Sequence, residues 1–290
     1  MDRFQGKTAV ITGGASGIGR ALADRFAAER MNVVLADIEE DALAAAVKEM
    51  EDLQHSVMGI VTDTMRRQSI EELLDKTVAQ FGNVHILCNN AGIAAGNPRR
   101  LGVWDLPDSD WEWTLGVNFY GVLYGIQVFV PHMLEHGESA HIVNTASLAG
   151  VLPGGGPYGV SKHAVLSLTE GLKGDLLSHQ TNISASVLCP GFVATNIADA
   201  ERNRPSDMGS PAATGEDAGV VRDLLANGKA PAEVADIVFE AIQQDRFYVL
   251  PHPGWDDTVR NRVEAILGRE GLPSLDMEGL MKRRMAGEDI

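Results

Sequence analysis

"KTAVITGGASGIGRALADRFAAER", residues 7–30, passes from an apolar run through a glycine-rich turn into a helical pattern. "KTAVIT" (7–12) has the apolar, β-branched character of a strand buried on both faces. From residue 18 onward, Ile18, Leu22 and Phe26 recur every four positions, on one face of a helix. Between them, "TGGASGIG" (12–19) places Gly13, Gly17 and Gly19. Glycine takes tight turns at no steric cost and lets backbone approach a ligand closely. A helix beginning straight after such a turn, here near Ile18, aims free N–H groups and its positive dipole end at an anion such as a pyrophosphate. A plain strand-to-helix turn is the other reading.

The same alternation continues outward. Strands are expected at 32–37, 56–63, 84–90, 140–147, 183–190 and 247–251, and helices at 39–53, 66–81, 109–136, 157–179 and 231–244. Alternation of this kind implies right-handed crossovers and a parallel sheet covered on both faces. The expected fold is α/β: a doubly wound, parallel, seven-stranded sheet of the Rossmann type in one domain, residues 1–251. Residues 196–230 are long and rich in Ala, Gly, Pro and Asp, and are read as a substrate lid, since ligands in such sheets bind beyond the strand ends. Residues 252–290 are expected to form a helical extension. Its Trp255, Val259, Val263 and Leu267 make an apolar stripe expected to pack on the domain or on a partner subunit.

The 290 residues, 44% hydrophobic and 22% charged, are ordinary globular composition. A net charge of −16 argues against nucleic acid or an anionic membrane as partner. No run of about 18 apolar residues is apparent, so no membrane span is expected. The start lacks the features of a signal peptide, and two isolated cysteines, Cys88 and Cys189, make neither a disulfide framework nor a metal site. The cytoplasm is the expected compartment.

The second expected strand ends in Asp37, 24 residues after Gly13. A carboxylate there can accept hydrogen bonds from an adenosine ribose and repel a 2′-phosphate. Residue 38 is Ile and residue 16 is Ser, so no basic group for that phosphate is apparent. NAD is favoured over NADP. Asp37 could also cap the next helix.

"YGVSK" (158–162) sets Tyr158 four residues before Lys162, one helical turn apart on one face. An ammonium near a phenol favours the phenolate, which would make Tyr158 a usable acid/base. A solvated Tyr and Lys is the bland alternative.

The order of "TGGASGIG", "NNAG" (89–92), Asn118 in "GVNFYG", Ser147 in "NTASLAG", "YGVSK" and "PGFVAT" (190–195) resembles the short-chain dehydrogenase/reductase family, over about residues 5–195. The resemblance implies catalytic roles for Asn118, Ser147, Tyr158 and Lys162. Tyr158 would exchange the proton, Ser147 would steady the substrate oxygen, and Lys162 would hold the nicotinamide ribose. Asn118 would hold a relay water. It further implies cofactor contacts from Gly13, Ser16, Gly17, Ile18, Gly19, Asp37, Asp63, Thr64, Asn90, Ala91 and Gly92. Tyr158, Lys162, Pro190, Gly191, Val193 and Thr195 would complete them. A homo-oligomer, tetramer or dimer, is implied as well. One departure stands out: only 11 positions separate Ser147 from Tyr158, a shorter, Gly- and Pro-rich loop than the family commonly has.

The expected activity is NAD-dependent alcohol dehydrogenase/reductase chemistry on a small molecule. Leu148, Val151, Leu152, Phe192 and Ile197 would border the substrate pocket; all are apolar, which points to a bulky apolar or aromatic secondary alcohol. "TNIADAERNRP" (195–205) and "FYVLPHPG" (247–254) resemble segments of bacterial aryl-ether Cα (benzylic alcohol) dehydrogenases. An NADP-linked biosynthetic ketoreductase and a non-catalytic NAD-binding protein on the same fold are the alternatives. "HMLEH" (132–136) matches an inverted zinc motif but lacks an apparent third ligand, and no metal is expected. Trp104, Trp111 and Trp113 are read as packing residues.

Overall fold

A computed structural model of the chain describes residues 4–94, 102–209, 217–273, 279, 282 and 283. Among the described residues, seven strands form one parallel sheet: β1 (Thr8–Thr12), β2 (Asn32–Asp37), β3 (Val57–Val61), β4 (Ile86–Asn89), β5 (Ala140–Thr145), β6 (Ile183–Leu188) and β7 (Tyr248–Val249). Their order is β3-β2-β1-β4-β5-β6-β7, the doubly wound arrangement the alternation predicts. The helices are α1 (Gly17–Ala28), α2 (Glu40–Asp52), α3 (Arg67–Phe81), α4 (Asp108–Leu115), α5 (Gly121–His136), α6 (Gly156–Ser178), α7 (Asp217–Ala226), α8 (Pro231–Gln243) and α9 (Asp256–Gly268).

Successive strand residues face opposite layers. Ala9, Ile11, Val33 and Leu35 pack with Leu22 and Phe26 of α1 and Phe239 of α8. Val10, Val34, Leu87 and Ile142 pack on the other face with Ile70, Leu73 and Phe129. Each such fully buried Val, Leu, Ile or Phe side chain contributes about 1.5–3 kcal/mol.

Four details differ from the sequence expectations. The helix expected over 109–136 contains a π turn at Gly116–Tyr120, where residue 116 packs so closely on Met65 that a Cβ would sit 2.6 Å from its Cε. Such a wide turn re-aims side chains, and Asn118 lies in it, fully buried. The continuous run Asp108–His136 is also apolar enough, with a window of mean hydropathy 1.2, to cross a membrane by length and composition. Half of that window is buried in the protein, where Val122, Ile126, Phe129 and Met133 pack on the sheet. Strand β4 starts at Ile86 rather than 84, because Val84 bonds His132 (3.1 Å) and His136 (3.0 Å), the histidines of the zinc-like motif. The apolar stripe of the extension is buried only at its start. Trp255 and Val259 pack with Leu148 and Leu152, whereas Val263 and Leu267 are exposed.

Candidate active site

The chain turns to opposite faces of the sheet after β1 and β4, and a cavity of about 570 Å³ opens at the C-terminal ends of the strands there. One half of it is bounded by the glycine turn. Gly13 and Gly17 have φ of +64° and +55°, the left-handed region that favours glycine. A Cβ at 13 would lie 2.9 Å from Ala91 Cα, and one at 19 would lie 2.0 Å from the Gly13 carbonyl oxygen. Ser16 stands at the N-cap of α1 but makes no side-chain cap bond, and no acid sits in the first turn. The free N–H groups of α1 therefore face a groove with bare glycine walls, the donor set a pyrophosphate needs. Asp37 ends β2 in the same wall; its Oδ2 accepts from Ala15 N–H (3.0 Å) and its Oδ1 from Glu39 N–H (3.1 Å). A carboxylate has lone pairs beyond these two.

Asp63 lines the wall but also closes its own turn, accepting from Met65 N–H and Arg66 Nε, each at 3.0 Å. Asn90 knits β4 to β1: its N–H donates to Thr12 Oγ1 (2.9 Å) and its Nδ2 to the Thr12 carbonyl (3.2 Å). Thr64, Ala91 and Gly92 border the groove beside them. The loop 190–195 forms the far wall. Phe192 and Ala194 exchange backbone bonds with Lys229 (2.9 and 3.0 Å), and buried His252 accepts from Gly191 N–H (3.1 Å) and donates to Phe192 O (3.1 Å).

In the middle stand Ser147, Tyr158 and Lys162. Ser147 follows β5 and opens a 3-10 turn, Leu148–Gly150; its Oγ accepts from Ala149 N–H (3.1 Å) and donates to Pro190 O (3.3 Å). Tyr158 and Lys162 share a face of α6, the ammonium 5.7 Å from the phenol ring centroid. Lys162 Nζ donates to the Thr145 carbonyl (2.9 Å), and burial brings its pKa down to about 8. The phenol departs from the expected depression. Burial raises the Tyr158 pKa, and a hydrogen bond with Ser147 opposes the rise. Lys162 spends its ammonium on Thr145 instead. Asn118 holds the backbone of Ile93 from both sides (Oδ1 from N–H, 2.8 Å; Nδ2 to O, 2.9 Å) and donates to Ser161 Oγ (3.0 Å), which donates to the Tyr158 carbonyl (2.8 Å).

The remaining wall is apolar and aromatic: Leu148, Leu152, Phe192 and Ile197, with Trp113, Leu225 and Trp255. Phe192 and Trp255 rings lie 6.3 Å apart, and the buried Trp255 indole N–H has no acceptor among the described residues. Arg204, 4% exposed in its side chain, stacks 4.4 Å over Trp113 and bonds Asp110 (2.7 Å) and Glu201 (2.6 Å), which ties residues 197–208 to α4.

The cavity thus gathers 21 named candidates but not all: Gly19, Asn118 and Val151 do not line it. Gly19 supports the turn from beneath, Asn118 sits behind Gly92, and Val151 packs behind Leu148 and Leu152. Sequence reasoning missed Trp113, Glu39, Arg202, His252 and Trp255. Position just beyond the last strand was a usable signal for His252 and Trp255. For Arg202, which reaches Glu39 across 163 positions, there was none.

A family profile described as short chain dehydrogenase matches residues 7–206. Over 97% of its length the chain is 33% identical to the whole of a CLA biosynthesis dehydrogenase/reductase from Lactiplantibacillus plantarum. It is 32% identical, over 98% of its length and 92% of the relative's, to a C alpha-dehydrogenase from Sphingobium sp.. A short chain dehydrogenase/reductase of Burkholderia phymatum, solved in complex with NAD, superposes with a TM-score of 0.90 at 43% identity, covering 95% of this chain and 99% of that one.

Proposed function

The chain belongs to the short chain dehydrogenase family, and from that premise we propose that it oxidises a bulky apolar or aromatic secondary alcohol to its ketone, and the reverse, with NAD and with Tyr158 as acid/base. The coarser activity is that of an oxidoreductase interconverting an alcohol and a ketone with a nicotinamide cofactor. The observation that carries the finer reading is the meeting of Ser147, Tyr158 and Lys162 in one cavity with the glycine groove and Asp37.

The glycine turn, Asp37 and Lys162 would hold a nicotinamide cofactor there, and it would supply or accept the hydride. The chain handles the proton. Tyr158 exchanges it with the substrate oxygen, and Ser147 Oγ hydrogen-bonds the same oxygen as charge develops. Lys162 holds the nicotinamide ribose and favours the phenolate once its ammonium turns from Thr145 toward Tyr158. Asn118 Oδ1 and Lys162 Nζ both lie 3.4 Å from where a Cβ on residue 92 would stand. That glycine leaves room for a water held by Asn118, through which Lys162 passes protons to solvent. Asp37 takes the adenosine ribose hydroxyls and opposes a 2′-phosphate.

The aromatic walls Trp113, Phe192 and Trp255, together with the resemblance to aryl-ether Cα dehydrogenases, support a benzylic alcohol as substrate. Residues 196–230 act as the lid of a 1–251 unit, and the 252–290 extension supplies Trp255 to it. The protein works as a cytoplasmic homo-oligomer, with exposed Val160, Leu177 and Tyr248 available for self-association; light scattering gives its size. The reading is tested by reduction of NAD and NADP with aryl carbinols, hydroxysteroids, cyclic terpenols and hydroxyacyl thioesters. Turnover of aryl carbinols with NAD is expected. Reaction confined to acyl thioesters contradicts the substrate class, and faster reaction with NADP contradicts the cofactor.

A further inference from the structure

Glu39 lies at the N-cap position of α2, where a short side chain usually bonds the first turn. It makes no such bond. Its carboxylate instead crosses the groove to the 197–203 turn. Arg202 Nη2 donates to Oε1 (2.5 Å), Arg202 Nε to Oε2 (3.1 Å) and Asn203 Nδ2 to Oε1 (2.9 Å). The two-pronged guanidinium–carboxylate fit is the geometry by which arginine also binds phosphate. The third guanidinium nitrogen of Arg202 faces backward and donates to Asp199 O (2.8 Å) and Asn196 O (3.4 Å).

Asp37, Glu39, Arg202 and Asn203 line the same cavity, and Glu39 N–H bonds the Asp37 carboxylate. A cation therefore stands in the wall next to the carboxylate that takes the adenosine ribose, although the sequence beside Asp37 holds none. Its two outward nitrogens are both occupied by Glu39.

We propose that Glu39 sets cofactor choice by sequestering Arg202, so that a cation able to bind the 2′-phosphate of NADP is kept from it. The proposal rests on the NAD reading above. With Glu39 in place, the group at the ribose carries two carboxylates and one guanidinium, a net repulsion toward a phosphate. With Glu39 neutral, that group carries one carboxylate and one guanidinium, its net charge falls from −1 to zero, and the guanidinium fork is released from its carboxylate partner. Glu39 is thus a second specificity residue, acting through Arg202, in addition to Asp37.

The test is fluorescence titration of NADH and NADPH against the wild type, Glu39→Gln, Arg202→Gln and the double variant, with no substrate present. Glu39→Ser, which supplies an ordinary helix cap, serves as a second neutral variant should the glutamine perturb α2. The wild type is expected to bind NADH more tightly. Glu39→Gln and Glu39→Ser are each expected to bind NADPH about tenfold more tightly than the wild type, the size of one half-exposed charge-assisted contact. Arg202→Gln and the double variant should gain nothing for NADPH. A double variant that gains as much as Glu39→Gln, or neutral variants that leave NADPH binding unchanged, overturns the role of Arg202 while leaving the NAD reading intact. A wild type that binds NADPH at least as tightly as NADH overturns both.

Discussion

Lys162→Met is expected to make the protein more stable and nearly inactive. Lys162 is 2% exposed, and burial brings its pKa from 10.5 to about 8. A fall from 10.5 to about 8, at about 1.4 kcal/mol for each pH unit, means that the folded protein holds the charged lysine at a cost of about 3 kcal/mol. Methionine fills a similar volume without that cost, but it leaves the Thr145 carbonyl without the 2.9 Å bond from Nζ, a loss of about 1–2 kcal/mol. The net gain is about 2 kcal/mol at pH 7, or roughly 3 °C in melting temperature for a chain of this size. The sign of the pH dependence follows from a folded pKa below the unfolded one. The charge cost is fully present below about 8 and fades as pH rises toward 10.5, where the lysine is neutral in both states. Thermal unfolding of both proteins at a series of pH values is the assay. The advantage of the variant should be full at pH 7 and shrink steadily through that window. A variant less stable than the wild type at pH 7, or an advantage that does not change with pH, would refute the reasoning.

His141, whose Nε2 bonds Ser186 Oγ at 2.8 Å in the core, has its pKa lowered by burial to about 4. Its contribution to stability is present above 6.5 and is lost as pH falls toward 4, by about 3 kcal/mol; urea unfolding of the wild type and His141→Gln across that range should show the steeper loss in the wild type. Gly19→Ala brings a Cβ to 2.0 Å from the Gly13 carbonyl and should abolish measurable NADH binding or the fold of the glycine turn, which NADH titration and circular dichroism separate. Neutral Glu39 should raise NADPH affinity about tenfold, as argued above.

The sheet was readable because each strand is a short apolar run and each crossover helix carries a four-residue apolar spacing, as in Ile18, Leu22 and Phe26. Six motifs located the residues around the groove for the same local reason: a turn or one helical face fixes Gly13 against Gly17, and Tyr158 against Lys162. What was not legible depends on distant chain. The π turn at Gly116–Tyr120 reflects the contact between residue 116 and Met65, which nothing in "GVNFY" announces. Arg202 lies within the 196–230 stretch read as a lid, and only folding brings it to Glu39. The Tyr158 pKa could be reasoned from its neighbour Lys162 alone, but burial and the bond from Lys162 to Thr145 outweigh that neighbour in the folded chain. The stripe at Trp255, Val259, Val263 and Leu267 had the right period, yet α9 buries only the end next to Leu148 and Leu152.

The most direct test of the central claim compares Tyr158→Phe with the wild type in two measurements on the same preparation: NADH binding by fluorescence, and oxidation of an aryl carbinol that the wild type turns over. The phenylalanine keeps the ring and removes only the group that exchanges the proton. The account predicts unchanged NADH binding and a turnover lowered by about 10²–10⁴-fold. Turnover retained at the wild-type level would contradict it, because the proton would then have another route.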